Sequence, residues 1–219
     1  AREVLAITDE LTGHRMLPPV PFDIPAETFA DMLRERIRPV FSQDDVKVVL
    51  VHGASAQIKG LAKEHGIVAS DLDGTGITDA ATLKLALTAA NRLTHEILEG
   101  LSANDLRAAT TNAIIAHPTG IIQGVDHEFT GKVERVDVEL LQTLLAQGIV
   151  PVVPPLGLDG DGKTYRVNSD SVAVAVANAL KAIKLIYITC EDGLKAKGQL
   201  IRQMIVGDLE DLLQKHRGD

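Results

Sequence analysis

The residues best suited to chemistry are small and polar, and they lie where a strand gives way to a helix. After the apolar run 46–51 the chain reads His52-Gly53-Ala54-Ser55, and Ile58, Leu61 and Ala62 then fall on one helical face. The first N–H groups of a helix have no internal partner and lie at the positive end of its dipole. The small side chains of Gly53, Ala54 and Ser55 would let a carboxylate or phosphate approach them. The same residues also suit plain strand-to-helix packing. Ser55 has no base partner visible in the sequence, so it is a weak nucleophile. A second group, Asn168-Ser169-Asp170, opens a very apolar helix, where Asn168 or Asp170 either caps the helix or presents a carboxylate to a ligand. Asp71-Leu72-Asp73-Gly74 and Asp159-Gly160-Asp161-Gly162 echo calcium loops but lack the closing glutamate, and both read as turns. His52, His65, His95, His117 and His127 are scattered without ligand spacing, so no metal site is expected. Cys190 reads as packing, because no activating group is near it in sequence. Thr130 and Gly131 read as hairpin-shaping residues rather than ligand contacts.

The elements that must position these groups alternate between strand and helix. Residues 46–51, with only Lys47 charged, read as a strand buried on both faces, the best central strand of a parallel sheet. A helix over 55–65 ends at Gly66. Earlier, residues 1–25 offer one short strand or helix near Val4 to Ile7 and then a proline-rich connector, and residues 26–40 suit a helix with Phe29, Leu33, Ile37 and Val40 on one face. Thr78 or Asp79 caps a long helix to about Leu101 with a stripe of Leu83, Leu87, Ala90, Leu93, Ile97 and Leu101. A strand at 113–116 follows, then two strands at 120–123 and 131–136 joined as a hairpin-like excursion. Asp137 caps a helix to about Gln147. A strand at 148–153, a turn at 158–163, a strand at 165–167, a helix at 171–182, an interior strand at 184–189 and helical turns within 200–216 complete the chain. This alternation argues an α/β fold, a three-layer sandwich around a mainly parallel central sheet, with residues 1–25 as an extension or connector and 26–219 as the domain.

Composition narrows the functional classes. With 219 residues, 45% of them hydrophobic, the chain can bury a full core. A net charge of −8 without a basic cluster disfavours nucleic-acid and anionic-membrane partners. No Trp and two Tyr leave little material for base stacking. One cysteine fits a reducing compartment, and without a membrane-length apolar run or a leader the expected location is cytoplasmic.

Four separated segments, VHGASAQI, GITDAATLKLALTAANRLTHEIL, GVDHEFTGKVERVD and YRVNSDSVAVAVANALKAIKLIYITCEDGL, together resemble the amino-acid kinase fold, in the branch of N-acetylglutamate kinase and the regulatory domain of N-acetylglutamate synthase. The resemblance spans about residues 46–194. It implies a sandwiched parallel sheet, an acylamino-acid site at the strand C-terminal ends and a role early in arginine biosynthesis.

Position by position, the resemblance also implies losses. A glycine-rich HGGG-type loop of the kinases is His52-Gly53-Ala54-Ser55 here, where Cβ atoms crowd the backbone. The family's carboxylate-binding arginine falls on Gly76, which removes the bidentate clamp. An NxNAD-like segment appears as Arg166-Val167-Asn168-Ser169-Asp170. Asp170 keeps the carboxylate position that organises the kinase lysines, and Arg166, in place of an asparagine, is left able to bind a carboxylate from the other side. The first lysine is Lys47 and no GGM-then-lysine segment follows Gly193, so the charges that neutralise a transferring phosphoryl group are missing. Cys190 stands where a nucleotide-site carboxylate would.

The resulting expectation is a regulatory and assembly domain of an N-acetylglutamate synthase, incomplete at both ends and not itself catalytic, with Asp170 a vestigial kinase position. Gly53, Ala54, Ser55, Gly76, Arg166, Asn168 and Asp170 would form the binding site for a small amino-acid ligand, arginine or N-acetylglutamate. The resemblance implies no cofactor in this chain, with acetyl-CoA serving a separate acetyltransferase domain, and a homo-oligomer. A divergent N-acetylglutamate kinase using ATP is the first alternative, with Lys184 or Lys197 as stand-in lysines; a ligand-free scaffold is the second.

Overall fold

Residues 47–52 form a strand because five of the six are apolar or buried, and their alternation decides which helical layer each side chain meets. The computed structural model describes residues 2–7, 46–71, 74–188, 195–196, 199–201, 207 and 214. The helix expected over 26–40, the prolines of the connector, Cys190 and the helical turns expected within 200–216 fall wholly or largely outside them. Strands β1 (Arg2–Ile7) and β2 (Lys47–His52) lead to helices α1 (Ser55–His65) and α2 (Ala80–Ser102), then to β3 (Ala108–Thr110) and β4 (Ile114–Pro118). Next come β5 (Ile121–Ile122), β6 (Val125–Asp126), β7 (Gly131–Val136), α3 (Val138–Ala146) and β8 (Val150–Val153). The chain continues through β9 (Leu156–Leu158), β10 (Thr164–Arg166), α4 (Ser169–Leu180), β11 (Lys184–Ile188), β12 (Lys195–Ala196) and β13 (Gln199–Leu200).

Five strands make a wholly parallel sheet in the order β11-β1-β2-β8-β3, with β2 at its centre. The element expected near Val4 to Ile7 is therefore a strand, and its backbone lies inside the sheet. Val49 and Val51 point to one layer, where α3 contributes Leu141 and Leu145, and α4 contributes Val172, Val176 and Leu180. Val48 and Leu50 point to the other, onto Leu93, Ile97 and Leu101 of α2. Helix α1 joins that second layer through Ile58, Leu61 and Ala62 against Leu85, Ala86, Ala89 and Ala90. Small residues on both helices permit this close approach. The same contact moves the buried stripe of α2 away from the expected one: Leu83 and Leu87 are only half-buried, and Leu85, Ala86 and Ala89 take their place. Helix-to-sheet and helix-to-helix burial on one helix widens its apolar face beyond a single line of leucines.

Several caps follow the sequence closely. Asp79 accepts from Thr82 N at 2.7 Å, Asp137 from Leu140 N at 3.0 Å and Asn168 from Ser171 N at 3.0 Å. Gly66 closes α1 at φ +64°.

The middle of the chain departs from simple alternation. Strands β10, β9, β4 and β7 form a second sheet in that order, mixed rather than parallel. The strand at 131–136 does not pair with 120–123: β7 runs antiparallel to β4, while β5 pairs with β6 across Gln123 and Gly124, at φ 52° and 82°. Two consecutive left-handed residues give the turn that two-residue hairpins favour. Pro154 and Pro155 interrupt the run after β8 and allow β9, which the sequence did not announce, to leave the first sheet for the second. Strand β3 was likewise unannounced. Strand β11, read as interior, lies at the edge of the described sheet. No helix among the described residues is long and apolar enough to cross a membrane.

Candidate functional site

The strand-to-helix corner is built tightly. Gly53 is buried and Ala54, 2% exposed, is the N-cap of α1 with no side chain able to accept from the first turn. Beneath it His52 is fully buried and bridges two elements. Its Nδ1 lies 2.8 Å from the Gly53 carbonyl, an acceptor, so the neutral ring carries its proton there. Its Nε2 lies 2.8 Å from Thr94 Oγ1, which is itself 2.7 Å from the Ala90 carbonyl. One hydroxyl proton thus faces two acceptors, and a second ring proton would satisfy all three bonds. Burial outweighs that preference and holds the imidazole down to about 4, the Gly53 bond opposing it.

A pH dependence follows. An exposed histidine in the unfolded chain takes a proton near pH 6.5, which the fold refuses until about pH 4. The contribution is therefore full above pH 6.5 and is lost as pH falls toward 4, by about 3 kcal/mol. Urea midpoints across this window should fall less steeply for His52→Gln than for the natural chain. Parallel slopes would refute the assignment.

A separate cavity of about 750 Å³ opens between α4, β7 and the loop before α2, a size suited to a small ligand. Asn168 and Asp170 line it, as do Gly74 and Thr75 just before Gly76. Asp170, in the first turn of α4, also lies near Tyr187 of β11: burial raises the Tyr187 phenol, and the Asp170 charge adds to the rise. Since Tyr187 is the penultimate residue of β11, the cavity is near the C-terminal end of the parallel sheet, where open α/β sheets hold their ligands.

The excursion 119–130 forms part of the cavity wall through bonds between distant segments. Thr130 Oγ1 donates to the Gly76 carbonyl at 2.6 Å and lies 2.9 Å from Thr78 Oγ1. His127 Nδ1 donates to the same Gly76 carbonyl at 3.3 Å. Phe129 N donates to Thr78 O at 3.0 Å, and Arg166 N to Phe129 O at 2.9 Å. Thr130 and Gly131, read from the sequence as shaping a hairpin, thus line the cavity. Gly131 also meets a neighbouring strand closely, since a Cβ there would lie 2.6 Å from Tyr165 Cβ.

Arg166 does not line the cavity. Its side chain is 3% exposed and its Nη1 donates to Asp71 O at 2.8 Å and to Asp71 Oδ2 at 3.3 Å. Gly76 is not on the wall either and supports it through its carbonyl, which accepts from Thr130 and His127, and Gly53, Ala54 and Ser55 do not line the cavity. Asn168 spends its Oδ1 on the α4 cap. The wall also carries the Lys132 ammonium and the His127 imidazole, neither of them among the expected ligand groups. Lys132 follows Gly131 at the start of β7, and only the pairing of β7 with β4 turns it to this site. Among the described residues no three His, Cys, Asp or Glu side chains converge as a metal site would require.

Residues 26–217 match the model of the amino acid kinase family. The chain is 34% identical over 179 residues to the acetylglutamate kinase of Desulforamulus reducens, covering 78% of this chain and 62% of that protein. It is also 34% identical over 179 residues to the amino-acid acetyltransferase of Vibrio cholerae, covering 77% of this chain and 40% of that protein. In structure it is similar to N-acetylglutamate synthase from Neisseria gonorrhoeae complexed with coenzyme A and N-acetyl-glutamate, at a TM-score of 0.80 and 25% identity, over 98% of this chain and 47% of that one. The same enzyme complexed with coenzyme A and L-arginine gives a TM-score of 0.79 at 25% identity, over 97% and 49%. The matches thus span less than two thirds of the relatives' lengths.

Proposed function

The chain belongs to the amino acid kinase family, and on that premise we propose that it is the regulatory and assembly domain of an N-acetylglutamate synthase, binding a small amino-acid ligand in the cavity and not transferring phosphate. Strand β1 carries this reading. It runs beside β2, in the position where the resemblance places a first-strand lysine, and its sequence Arg2–Ile7 contains none. Phosphoryl transfer is driven by positioned positive charge, so a site without it retains binding and loses chemistry. The Ala54 and Ser55 Cβ atoms at the corner, and an Arg166 engaged by Asp71, point the same way. The likeness over 98% and 97% of the chain to a synthase complexed with N-acetyl-glutamate and with L-arginine supports arginine or N-acetylglutamate as the ligand class. On this reading acetyl-CoA belongs to a separate acetyltransferase domain of the longer protein, and the domain acts in a cytoplasmic homo-oligomer.

One observation favours the runner-up, a divergent N-acetylglutamate kinase: Lys132 and Asp170 line one cavity, and relatives at 34% identity carry the kinase name. A coupled assay with ATP, magnesium and N-acetylglutamate separates the two. The proposed reading expects no ADP above background, together with saturable calorimetric binding of arginine or N-acetylglutamate. Turnover that depends on Lys132 would establish the kinase instead.

A further inference from the structure

The side chain of Asp71 is held as a bound carboxylate would be. Its Oδ2 accepts from Gly74 N at 2.7 Å and lies 3.3 Å from Arg166 Nη1, so one backbone donor and one guanidinium converge on it. Guanidinium and N–H together are the usual receptors for a carboxylate ligand. The pair is shielded, with Arg166 3% and Asp71 11% exposed. Space for it comes from a glycine: a Cβ on Gly76 would lie 3.1 Å from Asp71 Oδ1. Gly74, which donates to Asp71, lies against the Val167–Asn168 peptide, and Gly74 and Asn168 both face the cavity. The ion pair therefore lies behind a wall that the cavity shares.

We propose that Arg166 is a carboxylate-binding position just behind the cavity wall, which the chain's own Asp71 occupies. The cavity is thereby set against a ligand carboxylate at this end. An amino acid with one carboxylate is accepted, held by Lys132 on the wall, and a dicarboxylic one is disfavoured. The ligand preference rests on the cavity reading given above, whereas the occupancy of Arg166 does not.

The test is replacement of the internal carboxylate by an external one. In Asp71→Ala, formate should enter the vacated place and raise Tm by roughly 3 to 5 °C at about ten times its Kd. The double variant Asp71→Ala/Arg166→Met, which lacks both charges, should show no formate effect beyond that of the natural chain. N-acetylglutamate should bind Asp71→Ala at least about tenfold more tightly than the natural chain, since one well-made charged contact contributes that much. If Asp71→Ala does not fold alone, its refolding yield with and without formate reads the same effect. Formate that leaves Asp71→Ala unchanged, or stabilises the double variant equally, overturns the proposal. Formate stabilisation that requires Arg166, with no amino acid binding either protein, upholds the occupied guanidinium and removes the cavity reading instead.

Discussion

Arg166→Met is expected to lower the unfolding free energy by about 3 to 5 kcal/mol. The charge it removes is 3% exposed and its partner Asp71 is 11% exposed, so water cannot replace the lost guanidinium. Methionine fills similar volume, which confines the loss to charge and hydrogen bonding. Asp71 would keep one donor, Gly74 N, against a full negative charge. The guanidinium's bond to the Asp71 carbonyl, at 2.8 Å, disappears with it. Adding Asp71→Ala should restore most of the stability, because removing both members of a buried pair costs far less than removing one. Urea titrations of the two single variants and the double variant measure this coupling. A single-variant loss under about 1 kcal/mol would mean the pair behaves as a surface ion pair.

Leu50→Ala should cost about 2 to 5 kcal/mol. Leu50 is fully buried in the central strand and packs with Leu93, Ile97 and Leu101 of α2 and with Val150 and Val152 of β8. A cavity there is enclosed by a rigid sheet on one side and a 23-residue helix on the other, so neither wall can close it easily. Leu83→Ala offers the comparison on α2. The sequence reading ranked Leu83 with the buried stripe, but it is half-buried and should cost clearly less. Equal losses at the two positions would contradict the packing described.

Elements whose shape is set by nearby residues were legible without coordinates. Alternating and continuous apolar runs marked β2, α1, α3 and α4 to within a residue or two at most ends, and the helix starts were marked by Thr78 or Asp79, by Asp137 and by Asn168 or Asp170, of which Asp79, Asp137 and Asn168 make the caps, because a cap bonds to an N–H only three residues on. The family resemblance was also in the sequence, carried by the order of four motifs, and the family match over residues 26–217 agrees with it. The pairing of the second sheet was not legible. Strands near β4, β7 and β10 could be read, but β9, three residues after two prolines, is too short for a period to show, and the choice of β4 over β5 as the partner of β7 is made by packing across the molecule.

The site divides in the same way. Sequence by itself determined that a carboxylate, Asp170, stands at the start of an apolar helix, that small residues follow the central strand, and that an arginine precedes Asn168 by two. Tertiary structure decided what that arginine holds. Asp71 and Arg166 are 95 residues apart, as Thr130 and Gly76 are 54 apart, and nothing local in either segment encodes the other. Charge and hydrogen-bonding groups have no period in sequence, since each is satisfied by whichever partner the packed backbone brings within about 3 Å. For that reason the residue types were readable, while the pairing that fills Arg166 and leaves Lys132 and His127 on the cavity wall belongs to the fold.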